Sequence, residues 1–201
     1  MRPFTTVTAR LGVIDRANID TDQIIPARFL REPRGDGYGG FLFHDAPELQ
    51  AAVEGAGVLR AGENFGCGSS REGAVYALVD AGVRCVIAPS FGDIFAGNAG
   101  KNGLLLLALP AAVTAGLAGE VTIDLVAQCL RAAGVTAGCV TAGGVTAGEV
   151  VLRFEVEPYR RRMLLEGLDD IGLTLAHGAD LDAWAARDAV ARPWVGMGAS
   201  R

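Results

Sequence analysis

Gly57-Val-Leu-Arg-Ala-Gly62-Glu-Asn-Phe-Gly-Cys-Gly68-Ser-Ser-Arg-Glu72-Gly-Ala-Val-Tyr-Ala-Leu-Val-Asp80-Ala-Gly82-Val-Arg-Cys-Val-Ile-Ala88 holds three elements in succession. Residues 57–61 read as a short strand. Residues 62–68 form a glycine-rich turn. Residues 70–81 carry Ala74, Ala77, Leu78 and Ala81 at helical spacing, and Gly82 supplies a C-terminal stop. Residues 83–88 are an uninterrupted β-prone run. Strand, helix and strand at this spacing predict a βαβ unit, hence a parallel pair joined by a right-handed crossover.

Outward from this unit, residues 5–14 are β-prone. Residues 31–40 are glycine-rich and charged, and read as a loop without a core of its own. A short helix is expected after Ser90, and a buried strand at 104–109. Segments 120–128 and 150–157 both alternate: Val121, Ile123, Leu125 and Ala127 share one face, as do Val150, Leu152, Phe154 and Val156. They predict an antiparallel pair with one solvated face. The C-terminal third reads as helical, starting at Pro158, with Trp184 on an amphipathic helix. The tetrad Val-Thr-Ala-Gly recurs at 135–138, 140–143 and 145–148, and once at 113–116. A five-residue period is too short for a solenoid. We expect a low-complexity loop at 131–149 within a single domain of residues 1–201.

Half of the 201 residues are hydrophobic, so a packed core is expected, and the formal net charge is -5. That balance argues against nucleic acid as a partner, because phosphate binding needs clustered Lys and Arg. No basic segment followed by an apolar run opens the chain, and the longest apolar run, 104–113, is broken by Pro110. It is shorter than the roughly 20 residues of a membrane-spanning helix. A cytoplasmic protein without membrane contact is the expectation. Cys67, Cys85, Cys129 and Cys139 form no C-x-x-C pair, and His44 and His177 stand alone. No metal-ligand spacing is present, so no metal site is expected on this chain.

The candidate chemistry concentrates in residues 62–72. A glycine-rich turn between a strand and a helix is where parallel α/β sheets bind ligands. The helix start offers free N–H groups suited to a carboxylate or phosphate, and Arg71 adds a planar bidentate donor. Ser69-Ser-Arg-Glu72 also has capping-box spacing, and on spacing alone a helix cap at Ser69 is favoured over an anion site. Neither the Rossmann nor the P-loop fingerprint is present. A second constellation is Asn18-Ile-Asp20-Thr21-Asp22-Gln23-Ile-Ile-Pro26, whose acids suit either a helix cap or a site mouth. A third, weaker one runs from Ser90 through Asp93 to Asn98, Lys101 and Asn102.

Taken together, segments 18–30, 64–78, 90–109 and 165–177 resemble, in order, the small subunits of 3-isopropylmalate dehydratases, the swivelling domain of the aconitase superfamily. Phe65-Gly-Cys-Gly-Ser-Ser-Arg-Glu72 and Asp20-Thr-Asp22 carry the resemblance most specifically. It implies an α/β fold, a swivelling β/β/α three-layer domain with a parallel and an antiparallel sheet. It implies a hydro-lyase that isomerises 2-isopropylmalate and 3-isopropylmalate in leucine biosynthesis, as a heterodimer or larger assembly with a large subunit. That partner would carry a [4Fe–4S] cluster, with none bound by this chain alone. The resemblance assigns Ser69 as catalytic base and Arg71 as its stabiliser. Ser70, Asp20, Thr21, Asp22 and Arg28 would bind or line the site of a small dicarboxylate. It also implies that the loop 26–40 reaches the substrate side chain. Three departures stand out: Gly73 where the family has His after Ser-Ser-Arg-Glu, a shorter segment between Phe43 and Leu59, and the Val-Thr-Ala-Gly expansion. A related hydro-lyase of citramalate or homoaconitate type, and a non-catalytic anion-binding or assembly module, are the alternative readings.

Overall fold

Residues Thr6–Ile14 form a nine-residue strand, β1, in the computed structural model, which describes residues 1–35, 37–133, 143–146 and 149–194. Its two halves have different partners. Leu11 to Ile14 run parallel to β2 (Val58–Ala61), with Leu11 opposite Val58 and Ile14 opposite Ala61. Thr6 to Arg10 run antiparallel to β5 (Glu120–Asp124). On the parallel side β2 is followed by β3 (Cys85–Ala88) and β4 (Leu105–Ala108). On the antiparallel side β5 is followed by β6 (Cys129–Ala133), β8 (Glu149–Arg153) and β7 (Gly143–Thr146). The parallel and antiparallel sheets are thus two halves of one eight-stranded ladder that share β1.

The alternation of each strand sorts the core into two layers. Leu59, Ala61, Val86 and Ala88 face the helices α1 (Thr21–Ile24), α2 (Pro47–Val53), α3 (Glu72–Asp80) and α4 (Asp93–Lys101). Val58, Cys85, Ile87, Leu105 and Leu107 point the other way. They meet Val121, Ile123, Leu130, Val150 and Leu152 of the antiparallel half in a second cluster. Antiparallel half, parallel half and helices therefore stack as β/β/α, with hydrophobic burial across both faces of β2 and β3.

The expected βαβ unit is present as β2, α3 and β3. The expected direct pairing of 120–128 with 150–157 is not. The Asp124 carboxylate accepts from the Ala127 N–H at 2.8 Å and turns the chain, so the strand ends there and β6 enters between the two. Leu130 then faces Ile123 on one side and Leu152 on the other. Residues 131–133 and 143–146, inside the stretch expected as loop, are paired strand. The rest of the 134–148 repeat lies outside the described residues.

The segment expected to lack a core, residues 31–40, is part of a packed strap. It contains two 3-10 turns, Ala27–Arg31 and Tyr38–Phe41. Phe29 stacks on Phe41 at 4.2 Å, and Tyr38 meets both Phe41 and Tyr76 edge-on. Tyr38, Leu42 and Phe43 are buried. Aromatic residues spaced through a glycine-rich, charged sequence supplied the burial that its composition concealed.

After α5 (Ala111–Thr114) and β8, the chain forms α6 (Pro158–Glu166), α7 (Asp170–Leu175) and α8 (Gly178–Ala191). Proline at the first position and Glu157, whose carboxylate accepts from the N–H groups of Tyr159 and Arg160, start α6. Met163 and Leu164 pack inward. The expected helix around Trp184 exists as α8, but it buries none of its residues.

One buried charge ties the strand ends together. Arg60 on β2 is 8% exposed. Its Nη1 donates to the carbonyls of Thr114, Ala115 and Leu117 at 3.0, 2.6 and 3.2 Å, and its Nη2 binds both oxygens of Asp15 at 2.8 Å. Arg60→Ala should cost about 3 kcal/mol in urea unfolding, because those carbonyls and the carboxylate lose their donor together. Asp15→Asn should cost less than about 1 kcal/mol, since that carboxylate is largely in water. On the strap, the Arg28 guanidinium holds the Asp45 carboxyl down to about 2. The depressed value means that the pair persists through the ordinary carboxyl range and is lost only as pH falls towards 2. An NMR titration of Asp45 should show that low midpoint, and Arg28→Ala should return it towards 3.8.

Candidate active site

Three loops meet at the C-terminal ends of β1, β2 and β3, and backbone hydrogen bonds join them. The Gly66 N–H donates to the Ile19 carbonyl at 2.7 Å, and the Thr21 N–H donates to the Cys67 carbonyl at 3.0 Å. On the other side the Phe65 N–H donates to Ser90, and the Gly92 N–H returns a bond to Phe65, at 3.1 and 3.0 Å. The turn can make this approach because Gly66 and Gly68 take positive φ values of 75° and 88°. A Cβ on Gly66 would lie 2.3 Å from the Phe95 ring, so no other residue fits there. All three sequence constellations are therefore one structural unit.

A cleft of about 720 Å³ opens along this unit, lined by Asn18, Asn64, Cys67, Ser90, Asp93 and neighbouring residues. Asn64 is a residue whose part sequence reasoning did not pick out. Its side chain donates to Asn18 Oδ1 at 2.8 Å, and its N–H donates to Ser90 Oγ at 2.8 Å. Both asparagines have φ of 57°, a left-handed conformation that Asn tolerates. An Asn directly before Phe-Gly in a turn was the available signal.

Ser69 and Ser70 are exposed at the end of the turn. The capping-box reading of Ser69 and Glu72 is overturned: the N-cap of α3 is Arg71, with no side-chain cap. Glu72 instead accepts from Asn102 Nδ2 at 2.7 Å. Among the described residues, the Ser69 hydroxyl has no hydrogen-bond partner, while its carbonyl accepts from Thr21 Oγ1 at 3.0 Å. The capping box lies on α1. Asp20 Oδ1 accepts from the Gln23 N–H at 2.7 Å, and Gln23 Oε1 accepts from the Asp20 N–H at 3.1 Å. Thr21 is buried beneath the serine turn.

Asp22, the next residue, forms an ion pair with Arg71. The Arg71 side chain is 23% exposed, and its Asp22 partner is 51% exposed. A guanidinium so placed keeps donors available on the solvent side while one edge is held. Asp20, Thr21, Asp22, Ser69, Ser70 and Arg71 are thus brought together. Arg28 is held elsewhere: it is exposed, pairs with Asp45 on both carboxylate oxygens, and lies 4.5 Å over the Phe29 ring.

The arrangement pairs two hydroxyls with a held cation at the start of a nine-residue helix, which suits a carboxylate-bearing ligand. Among the described residues no three His, Cys, Asp or Glu side chains converge. Cys85 is buried between the sheets, where burial pushes its thiol pKa up, Cys129 lies on β6, and Cys67 faces the cleft by itself.

Comparison with known proteins places the chain in a family. Residues 43–112 match the family model "Aconitase C-terminal domain". The chain is 42% identical over 215 residues to the 3-isopropylmalate dehydratase small subunit of Rhodospirillum centenum, covering 97% of this chain and 99% of that protein. It is 45% identical over 191 residues to the same subunit of Acidobacterium capsulatum, covering 92% and 89%. The solved structure of 3-isopropylmalate dehydratase from Methanocaldococcus jannaschii superposes with a TM-score of 0.65 at 28% identity, covering 89% of this chain and 98% of that one. The chain belongs to the 3-isopropylmalate dehydratase small-subunit family.

Proposed function

We propose that this chain is the small subunit of a hydro-lyase that interconverts 2-isopropylmalate and 3-isopropylmalate by dehydration and rehydration, in leucine biosynthesis. The observation that carries the reading is the joining of Asp20-Thr-Asp22 to Ser69-Ser-Arg71 by the Thr21 bonds and the Asp22–Arg71 ion pair. Relatives over nearly the whole chain bear the same name.

The reaction removes a proton next to a carboxylate and a hydroxide from the neighbouring carbon, and water then adds back with the opposite regiochemistry. In this reading the large subunit supplies a [4Fe–4S] cluster, whose iron would act as Lewis acid on the hydroxyl. This chain contributes base and clamp. Ser69 accepts the proton. A free serine is far too weak a base, so its alkoxide must be stabilised where it forms. Arg71 beside it, and the N–H groups at the start of α3, provide charge that is already oriented and needs no reorganisation. Arg71 and Ser70 also hold a substrate carboxylate, and Asp22 fixes the guanidinium plane. Arg28 reaches substrate only by exchanging Asp45 for a substrate carboxylate. No helix among the described residues is long and apolar enough to cross a membrane, and we place the assembled enzyme in the cytoplasm.

The deciding experiment mixes the chain anaerobically with its cognate cluster-bearing subunit and follows the alkene by absorbance. Isopropylmalate turnover that requires both chains is expected. No turnover with an intact cluster and a stable complex would overturn the proposal, and turnover of citramalate alone would change the substrate. Ser69→Ala should lower kcat by about 1,000-fold while the complex still forms. Asp22→Asn should lower kcat/KM by about tenfold, through looser orientation of Arg71.

A further inference from the structure

We propose that Gly73 is a positioning residue for substrate selection: its missing side chain seats the 27–41 strap on the helix turn that carries Arg71. The inference rests on the dehydratase reading. Gly73 lies in the first turn of α3 with ordinary helical backbone, so the conformation there does not require glycine. Glycine is a poor helix former, and its presence calls for another cause. Space supplies it. A Cβ at residue 73 would lie 2.4 Å from Leu30 Cδ2 and 3.1 Å from the Tyr38 hydroxyl oxygen. Leu30 fills the volume that a side chain would take.

The rest of the strap is pinned along the same helix. Arg34 donates to both oxygens of Asp80 at 2.9 Å, and its guanidinium lies 4.2 Å over the Tyr76 ring. Gly39 approaches the Ala81 backbone so closely that a Cβ would sit 2.5 Å from the Ala81 nitrogen. With the far end held at the C-terminal turn of α3, the Leu30 end has one seat, against Gly73. That seat is two residues from Arg71. Leu30 and Arg71 therefore hold a set separation, across which a substrate clamped by Arg71 must fit its side chain. A methyl group at residue 73 displaces the flexible end of Leu30 and changes that opening without touching Ser69 or Arg71.

The test uses the assembled enzyme with wild type, G73A, L30A and L30A/G73A chains. G73A should raise KM for 2-isopropylmalate about tenfold, with kcat within about twofold and a smaller effect on citramalate, whose methyl group needs less room. In the L30A background the same substitution should change KM by less than about twofold, because the group it displaces most is gone and only the milder Tyr38 contact remains. The isolated G73A chain should melt no lower than wild type, which separates repositioning from loss of fold. Equal kinetics for G73A and wild type, equal losses on both substrates, or an effect that persists in L30A would each overturn the proposal. So would a G73A chain that fails to assemble and is not rescued by L30A. Absence of isopropylmalate turnover by the wild-type complex would instead remove the reading on which it rests.

Discussion

A strand has two edges, and β1 divides its two edges between its two halves. Thr6 to Arg10 bond to β5 and Leu11 to Ile14 bond to β2. Because each half is laddered mainly on one side, the two sheets can fold apart near the Arg10–Leu11 junction and still form one ladder. They close face to face over the cluster that contains Val58, Ile87, Val121 and Leu130. The same division fixes where the site forms. The half of β1 that runs parallel to β2 ends beside it, so the chain after Ile14 emerges next to the turn after Ala61. Everything downstream in the site follows from that adjacency.

At those strand ends the site is assembled by backbone before side chains enter. Residues 19–21, 65–67 and 90–92 exchange main-chain hydrogen bonds across three loops. Loops held this way cannot drift independently, which is what the proposed roles of Ser69 and Arg71 require. Side chains then refine the frame: Thr21 anchors the Ser69 carbonyl, and Asp22 orients Arg71. Arg60 works beneath them on the opposite face of the sheet. It joins the end of β1 to α5 through a buried guanidinium that makes five hydrogen bonds. With both terminal nitrogens held this way, Arg60 is structural, although by sequence it stands close to the site.

The helical layer shows how close packing sets the loops beside the candidate site. The strap lies along α3 through the edge-on Tyr38–Tyr76 contact, one ion pair and two glycines that admit neighbours where a Cβ would collide. Its charged and glycine-rich composition suggested a loop free of the core. Tyr38 is nonetheless 4% exposed, because scattered aromatic residues found a helix surface to cover. At the other end of the chain, α7 and α8 leave Ile171, Leu175, Trp184 and Val190 exposed.

Local rules sufficed for the elements whose signals are short in range. Strand, turn and helix at 57–88 followed from side-chain period and glycine position, and the family followed from Phe65 to Glu72 with Asp20 to Asp22. Periodicity within one segment also told correctly which face of 120–124 and 150–154 is buried. It could not tell which strand lies beside which, and β6 entered between them because pairing is a property of two segments. Capping went the same way. Ser69 and Asp20 both had the spacing of a helix cap, and only the fold assigned the role to Asp20, because the backbone bond from Thr21 to Cys67 starts α1 there. The sequence by itself determined the βαβ unit, the alternating faces and the presence of Ser69 and Arg71, since these depend on neighbours a few residues away. Only the tertiary structure decided that Asp22 faces Arg71, that Arg28 faces Asp45, and that Leu30 occupies the space above Gly73. Those contacts join residues far apart in the chain, and the distance between them is set by the packing of the sheet and helices.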